Sequence, residues 1–122
     1  MPDDNTDQTP RAALITGGGR RIGRAIALSV SRAGYAVVLH AHRSRADAER
    51  LAAEIVGAGG RASVVLADLA EPEGVRGLVP AASAFGPLTL LVNSAAEFEP
   101  DEIGSLERAR FERTLAVNLT AP

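Results

Sequence analysis

The 122-residue sequence predicts an α/β fold in which a doubly wound parallel sheet carries helices on both faces. Two observations lead there. Four short runs, 11–16, 35–40, 62–67 and 87–93, are apolar almost throughout instead of alternating, as strands buried on both faces are. Between them, apolar residues recur at helical spacing, and strands alternating with helices build a parallel sheet through right-handed crossovers.

The first run, "RAALIT", stops at three consecutive glycines, a strand ending in a turn. From Arg20 to Arg32, Ile22, Ala25, Ile26 and Val30 mark one face of a helix that Gly34 is placed to end. "YAVVLH" (35–40) is the second strand. Residues 45–58 set Ala48, Leu51, Ala52 and Ile55 on one helical face, closed by "GAGG". "ASVVLA" (62–67) is the third strand. Pro72 suits a first helical turn, and the helix to Phe85 contains two weak helix formers, Gly74 and Gly77. "PLTLLVN" (87–93) is the fourth strand. A last helix from Ser105 onward would bury Leu106, Phe111, Leu115 and Leu119, while the charged run "DEIGSLERARFERT" forms a solvated face with pairs such as Glu107 and Arg110. The tail, 1–10, offers little to bury and is expected to be disordered, leaving one domain over 11–122.

Composition narrows the function. The apolar fraction of 46% and charged fraction of 23% are those of a globular domain. Net charge is −2, and Asp3, Asp4 and Asp7 in the tail account for it, so neither nucleic acid nor a membrane surface is expected as a partner. Without cysteine there is no disulfide, thiolate nucleophile or Cys-ligated zinc, and His40 and His42 lack a third ligand nearby in sequence, so no metal is expected. The N-terminus is the opposite of a signal peptide and no apolar run approaches ~18 residues, which makes the cytoplasm the expected location. Lysine is absent, all thirteen basic residues being arginine, and Tyr35 is the single tyrosine.

"TGGGRRIG", Thr16 to Gly23, joins the first strand to the first helix. Backbone N–H groups of such a turn, with the helix dipole behind them, favour an anion. Gly17 permits the tight turn and Gly23 a close approach of helix and strand, while Gly19, Arg20, Arg21 and Ile22 complete the cradle. A P-loop would need a lysine. In the order strand, glycine turn, helix, strand, the reading is a dinucleotide site of the Rossmann type. A protein preferring NAD would carry a carboxylate about 20 residues on, at the end of the second strand. Here that strand ends in "LHAHRS", where Arg43, with His42, Ser44 and Arg20, suits the 2′-phosphate of NADPH. A solvated arginine at a strand end is the plainer alternative.

These residues resemble the short-chain dehydrogenase/reductase family over nearly all of 11–122. The family's turn, Thr-Gly-x-x-x-Gly-x-Gly, is matched by Thr16, Gly17 and Gly23, with Arg21 in place of the middle glycine. Its Asp-Leu after the third strand is Asp68-Leu69, where the resemblance implies a contact to adenine. Its Asn-Asn-Ala-Gly is "NSAA" here: Asn93, Ser94 and Ala95 fall on cofactor positions, and Ala96 replaces the glycine. Asn118, in "AVNLTAP", falls on the family's helix asparagine, whose main-chain carbonyl holds a proton-relaying water. The pteridine-reductase branch is similar in finer detail. It has arginine where Arg21 stands, a His-x-His-Arg-Ser segment matched by His40, His42, Arg43 and Ser44, and a phenylalanine, here Phe98, that stacks on a pterin. The resemblance implies an NADPH-dependent reductase of a pterin or dihydrofolate-type small molecule, a dimer or tetramer when intact, with Arg21 and Phe98 toward the substrate.

Each residue also has a plainer role. Asp68 could cap the following turn, Asn93 could bond backbone, Phe98 could be core packing, and Asn118 could be an ordinary polar residue within a helix. The family's proton donor, a Tyr in Tyr-x-x-x-Lys, has no counterpart in these 122 residues. The expectation is therefore a cofactor-binding N-terminal half, inactive alone, whose fourth strand is an exposed apolar edge prone to association. Another short-chain reductase acting on a ketone or oxoacyl thioester, and a non-catalytic nucleotide-binding module, are the alternatives.

Overall fold

A computed structural model of the chain describes residues 9–100 and 102–122. Residues 1–8, the bulk of the expected tail, lie outside the described residues. The elements follow in the order β1 Ala12–Thr16, α1 Arg21–Arg32, β2 Ala36–Ala41, α2 Arg45–Gly57, β3 Ala62–Leu66, α3 Pro72–Ser83, β4 Leu88–Asn93 and α4 Arg108–Leu115, which runs on into a π-turn, Ala116–Thr120. All strand pairings are parallel, in the spatial order β3-β2-β1-β4. The chain is thus a doubly wound α/β sheet, and its direction of growth reverses between β1 and β4, where such folds open a ligand crevice.

Successive residues of a strand point to opposite faces, and two cores result. Ile15, Val37 and Leu39 face α1 and α2, meeting Ala27, Ala48, Leu51 and Ile55. Leu14 and Val38 face the other way, onto Leu69, Leu78, Ala82 and Val117. Every residue of β1 and β2 is buried, as their unbroken apolar runs require. β3 and β4 are the outer strands among the described residues and are only partly buried; Leu66 and Leu91 stand about half exposed.

Helix α2 buries Ala48, Leu51 and Ile55 as its spacing predicts. Gly34 sits at φ +100° just after α1, a left-handed conformation that an L side chain resists. Helix α1 differs from expectation: it buries Gly23 and Ala27, and Ile22 is 72% exposed at the turn. The small residues let the helix lie close to the sheet, which rotates Ile22 outward. The last helix differs more. It starts at Arg108, not Ser105, and none of its residues is buried. Leu106, Phe111, Leu115 and Leu119 are all exposed, and Val117 enters the core instead. The phase of this helix is set by Arg113 and Asn118, whose polar bonds to the sheet's end outweigh the apolar stripe.

Candidate cofactor cleft

The C-terminal ends of the four strands open into a cleft of about 610 Å³, within the usual range for small-molecule sites. Its floor and walls come from the β1–α1 turn, the segments after β2 and β3, and the segment after β4.

The turn is held by steric and hydrogen-bonding constraints. Gly17 has φ +61°, and a Cβ there would lie 2.8 Å from Ala95 Cα, so the turn touches the segment after β4 backbone to backbone. A Cβ on Gly23 would collide with the Gly17 carbonyl oxygen. Arg21 has φ +51°, the one non-glycine residue in the left-handed region among those described. That conformation explains why glycine is the natural occupant and why the arginine is held at a cost. The first turn of α1 carries neither a side-chain cap nor an acidic residue, leaving its N–H groups for an external acceptor.

Thr16 does not line the cleft but ties β1 to its wall. Its Oγ1 accepts N–H bonds from Ser94 and Ala95, both 3.1 Å, and donates to the Val92 carbonyl at 3.4 Å. His40, at the end of β2, is 2% exposed. Its Nδ1 accepts the Gly17 N–H at 3.1 Å, and its Nε2–H donates to the Ala67 carbonyl at 2.8 Å. Burial pushes its pKa below the ordinary histidine value, against the carbonyl bond that raises it.

The mouth is basic. Arg20 pairs with Asp47 at 3.4 Å, and Arg50 also pairs with Asp47. Arg21 and Arg43 also line the cleft and have no ion-pair partner among the described residues. Ser44 lies beside Arg43, and His42 Nε2 is 3.7 Å from Asp68.

Asp68 sits where β3 ends. Its Oδ1 accepts the Ala70 N–H at 3.0 Å, the turn-capping bond, and both its oxygens accept from Arg113 at 3.0 Å. These Arg113 bonds hold its carboxyl down at a pKa of about 2. Arg113 also grips Glu97 through Nε at 2.9 Å and Nη2 at 2.7 Å. Asn118 completes the wall: its Oδ1 accepts the Glu97 N–H and its Nδ2 donates to the Glu97 carbonyl, both at 2.8 Å. It lies in the π-turn, closed by a bond from Ala121 N–H to the Ala116 carbonyl at 2.9 Å, a widened turn of a kind frequent at functional sites.

The structure therefore gathers Gly17, Arg20, Arg21, His42, Arg43, Ser44, Asp68, Leu69, Ser94 and Ala95 around one cleft. Gly19, Ile22 and Gly23 belong to the turn without lining it. Asn93 lines a second, smaller cavity beside Leu14 and Leu91. Phe98 is 86% exposed and stands outside the lining, so neither core packing nor a wall of the cleft describes it. The charged run is not simply a solvated face, since Arg113 turns inward and Arg110 pairs with Glu99 at 2.8 Å. Sequence reasoning missed Arg113, Glu97 and Val117 as parts of the wall. Only the last had a visible signal, an apolar residue beside Asn118. Among the described residues no three His, Asp or Glu side chains cluster to hold a metal, and no helix is long and apolar enough to cross a membrane.

The sequence model of the short chain dehydrogenase family matches residues 11–122. The chain is similar to FolM alternative dihydrofolate reductase 1 from Brucella canis, crystallised in complex with NADP. The two are 44% identical with a TM-score of 0.84, over 92% of this chain and 46% of that one. A short chain dehydrogenase from Burkholderia cenocepacia, also in complex with NADP, is 39% identical with a TM-score of 0.86, over 93% and 46%. An NADPH-dependent aldehyde reductase-like protein of Arabidopsis thaliana, chloroplastic, is 40% identical over 121 residues, 88% of this chain and 45% of that protein. The chain thus spans about half the length of these relatives.

Proposed function

Because the chain belongs to the short-chain dehydrogenase family, we propose that its cleft binds NADPH and that the protein reduces a pterin or dihydrofolate-type substrate. One observation carries the cofactor choice. Two guanidinium groups, Arg21 and Arg43, line the cleft without a carboxylate partner among the described residues, and the end of β2 offers no acid for a ribose hydroxyl. Such cations suit a 2′-phosphate and pyrophosphate, where a bidentate arginine contact is both strong and directional.

Bound there, NADPH supplies a hydride to an electrophilic carbon of the substrate. The residues of this chain bind and orient. Arg43, with Ser44 and His42, takes the 2′-phosphate, and the free N–H groups of the turn through Gly19, Arg20, Arg21 and Ile22 take the pyrophosphate. Asp68 Oδ2, engaged by a single Arg113 nitrogen, keeps a lone pair for the adenine amino group. Leu69, Asn93, Ser94 and Ala95 frame the strand ends, and Asn118 fixes the Glu97 backbone. No Tyr-x-x-x-Lys occurs within the 122 residues, so proton donation is not assigned to any of them.

The pterin reading is supported by Arg21, by the segment His40 to Ser44, and by likeness to an alternative dihydrofolate reductase. The exposure of Phe98, together with the aldehyde reductase-like relative, favours a second reading, another carbonyl reductase. Titration of the intact protein with NADPH and NADH tests the cofactor. Arg43→Ala should weaken NADPH binding about ten- to a hundredfold, the value of a charged hydrogen bond, and leave NADH binding unchanged. Tighter binding of NADH by the parent protein, or no loss in Arg43→Ala, would overturn the 2′-phosphate role. Phe98→Ala separates the substrates: under the pterin reading it weakens pterin binding, and under the second it leaves substrate binding intact.

A further inference from the structure

His40, in β2, bonds to the ends of both strands that flank it. Its ring nitrogen Nδ1 takes the Gly17 N–H, its own carbonyl takes the Gly18 N–H at 3.1 Å, and its Nε2–H reaches the Ala67 carbonyl, one residue before Asp68. A carbonyl oxygen can only accept, so Nε2 carries the proton and Nδ1 is the free acceptor. The ring is the neutral Nε2–H tautomer, and burial maintains that form by disfavouring charge.

A buried residue filling space between strands would do so with an apolar side chain. Here such a chain would strand a donor on Gly17 and an acceptor on Ala67, each costly when left unpaired. Gly17 is also the residue whose left-handed backbone presses on Ala95, so its N–H direction fixes how the turn meets the segment after β4. Two consecutive turn amides are committed to His40, which leaves the following amides for an external acceptor.

We propose that His40 is a positioning residue for the cofactor, one ring that sets the glycine turn and the Asp68 end of β3 at a fixed separation. This rests on the NADPH reading above. The turn cradles the pyrophosphate and Asp68 meets the adenine, so the ring sets the distance between two parts of one ligand. His42, Asp68, Glu97 and Arg113 are charged or titratable groups of the same wall, and none of them bonds the His40 ring.

Three substitutions in the intact protein separate this role from packing. His40→Phe fills the ring volume without donor or acceptor. His40→Asn can place an amide oxygen near the Nδ1 position to accept from Gly17, and His40→Gln can place an amide donor near Nε2 for Ala67. NADPH binding should weaken about tenfold or more in His40→Phe, recover most of that loss in His40→Asn, and recover little in His40→Gln. Amide hydrogen exchange at Gly17 should be slow in the parent and in His40→Asn, and fast in His40→Phe. A folded His40→Phe that binds NADPH like the parent would overturn the proposal, as would His40→Asn behaving like His40→Phe at equal stability. If His40→Phe does not fold, ring ¹⁵N–¹H correlation spectra of the parent decide. A protonated Nε2 and bare Nδ1 at neutral pH support the role, and a protonated Nδ1 overturns it. A parent protein that does not bind NADPH brings down the cofactor reading instead, a result distinct from any of these.

Discussion

Arg113 donates both terminal guanidinium nitrogens to the carboxylate of Asp68, each at 3.0 Å, although forty-five residues separate the two in sequence. The same guanidinium holds Glu97. One cation thus fastens the end of β3 and the segment after β4 to helix α4, and that helix contributes none of its own residues to the core. Geometry of this kind is far stronger than a lone surface pair, because the fork is bidentate on both sides.

The bond sets an acid limit. Hydrogen bonding from Arg113 lowers the Asp68 pKa to about 2, below its unfolded value near 3.8. A depressed carboxylate contributes stability that is fully present above the unfolded pKa and is lost as pH falls through the folded one. The window is therefore about pH 4 down to pH 2. Arg113→Met should raise the Asp68 pKa toward the ordinary carboxylate range, read by carboxyl ¹³C shifts, and cost about 1–2 kcal/mol at neutral pH after solvent screening. An Asp68 that still titrates near 2 in the variant would show that Arg113 is not the cause.

Arg21→Gly trades strain for charge. The left-handed backbone at Arg21 costs an L residue roughly 1–2 kcal/mol, which glycine does not incur, though glycine loses more chain entropy on folding. Urea unfolding should show stability unchanged or raised by up to about 1 kcal/mol. NADPH affinity should fall about tenfold through loss of the guanidinium. Unchanged affinity would return Arg21 to an unexplained surface residue.

Thr16→Val removes an oxygen without changing shape. The Ser94 and Ala95 amides both lose their acceptor, at about 1–3 kcal/mol for each group that stays buried. Thr16→Ser keeps the hydroxyl and should restore most of the loss in urea unfolding. Equal stability of the Val and Ser variants would show that water replaces the bond.

How much of this was legible depended on range. β1 and β2 were readable because a strand buried on both faces leaves an unbroken apolar run, and Leu14, Ile15, Val37 and Val38 are such residues. The glycine turn was readable because its residues lie within one run of eight, Thr16 to Gly23, although Gly17 also presses on Ala95, far off in sequence. The phase of α4 was not. Leu106, Phe111, Leu115 and Leu119 form a stripe by spacing, but the partners that orient the helix, Asp68 and Glu97, lie far off in sequence. His40 was visible in "LHAHRS", yet its partners are backbone atoms of Gly17 and Ala67, which no side-chain pattern reveals. Phe98 was placed by motif alone, and the described structure leaves it in solvent.

The π-turn at Ala116–Thr120 makes the spacing of this segment matter as much as its composition. A π-turn holds one residue more than the α-turn it replaces, so deleting one residue there would let the backbone wind regularly. The turns on either side would keep their phase, because the extra residue is absorbed inside the widened turn, but the side chains within that turn would be re-spaced. Val117 in the core and Asn118 on Glu97 could no longer both meet their partners. Substitutions on the outer face of this helix should be easily accommodated, whereas a single-residue gap would dismantle one wall of the cleft.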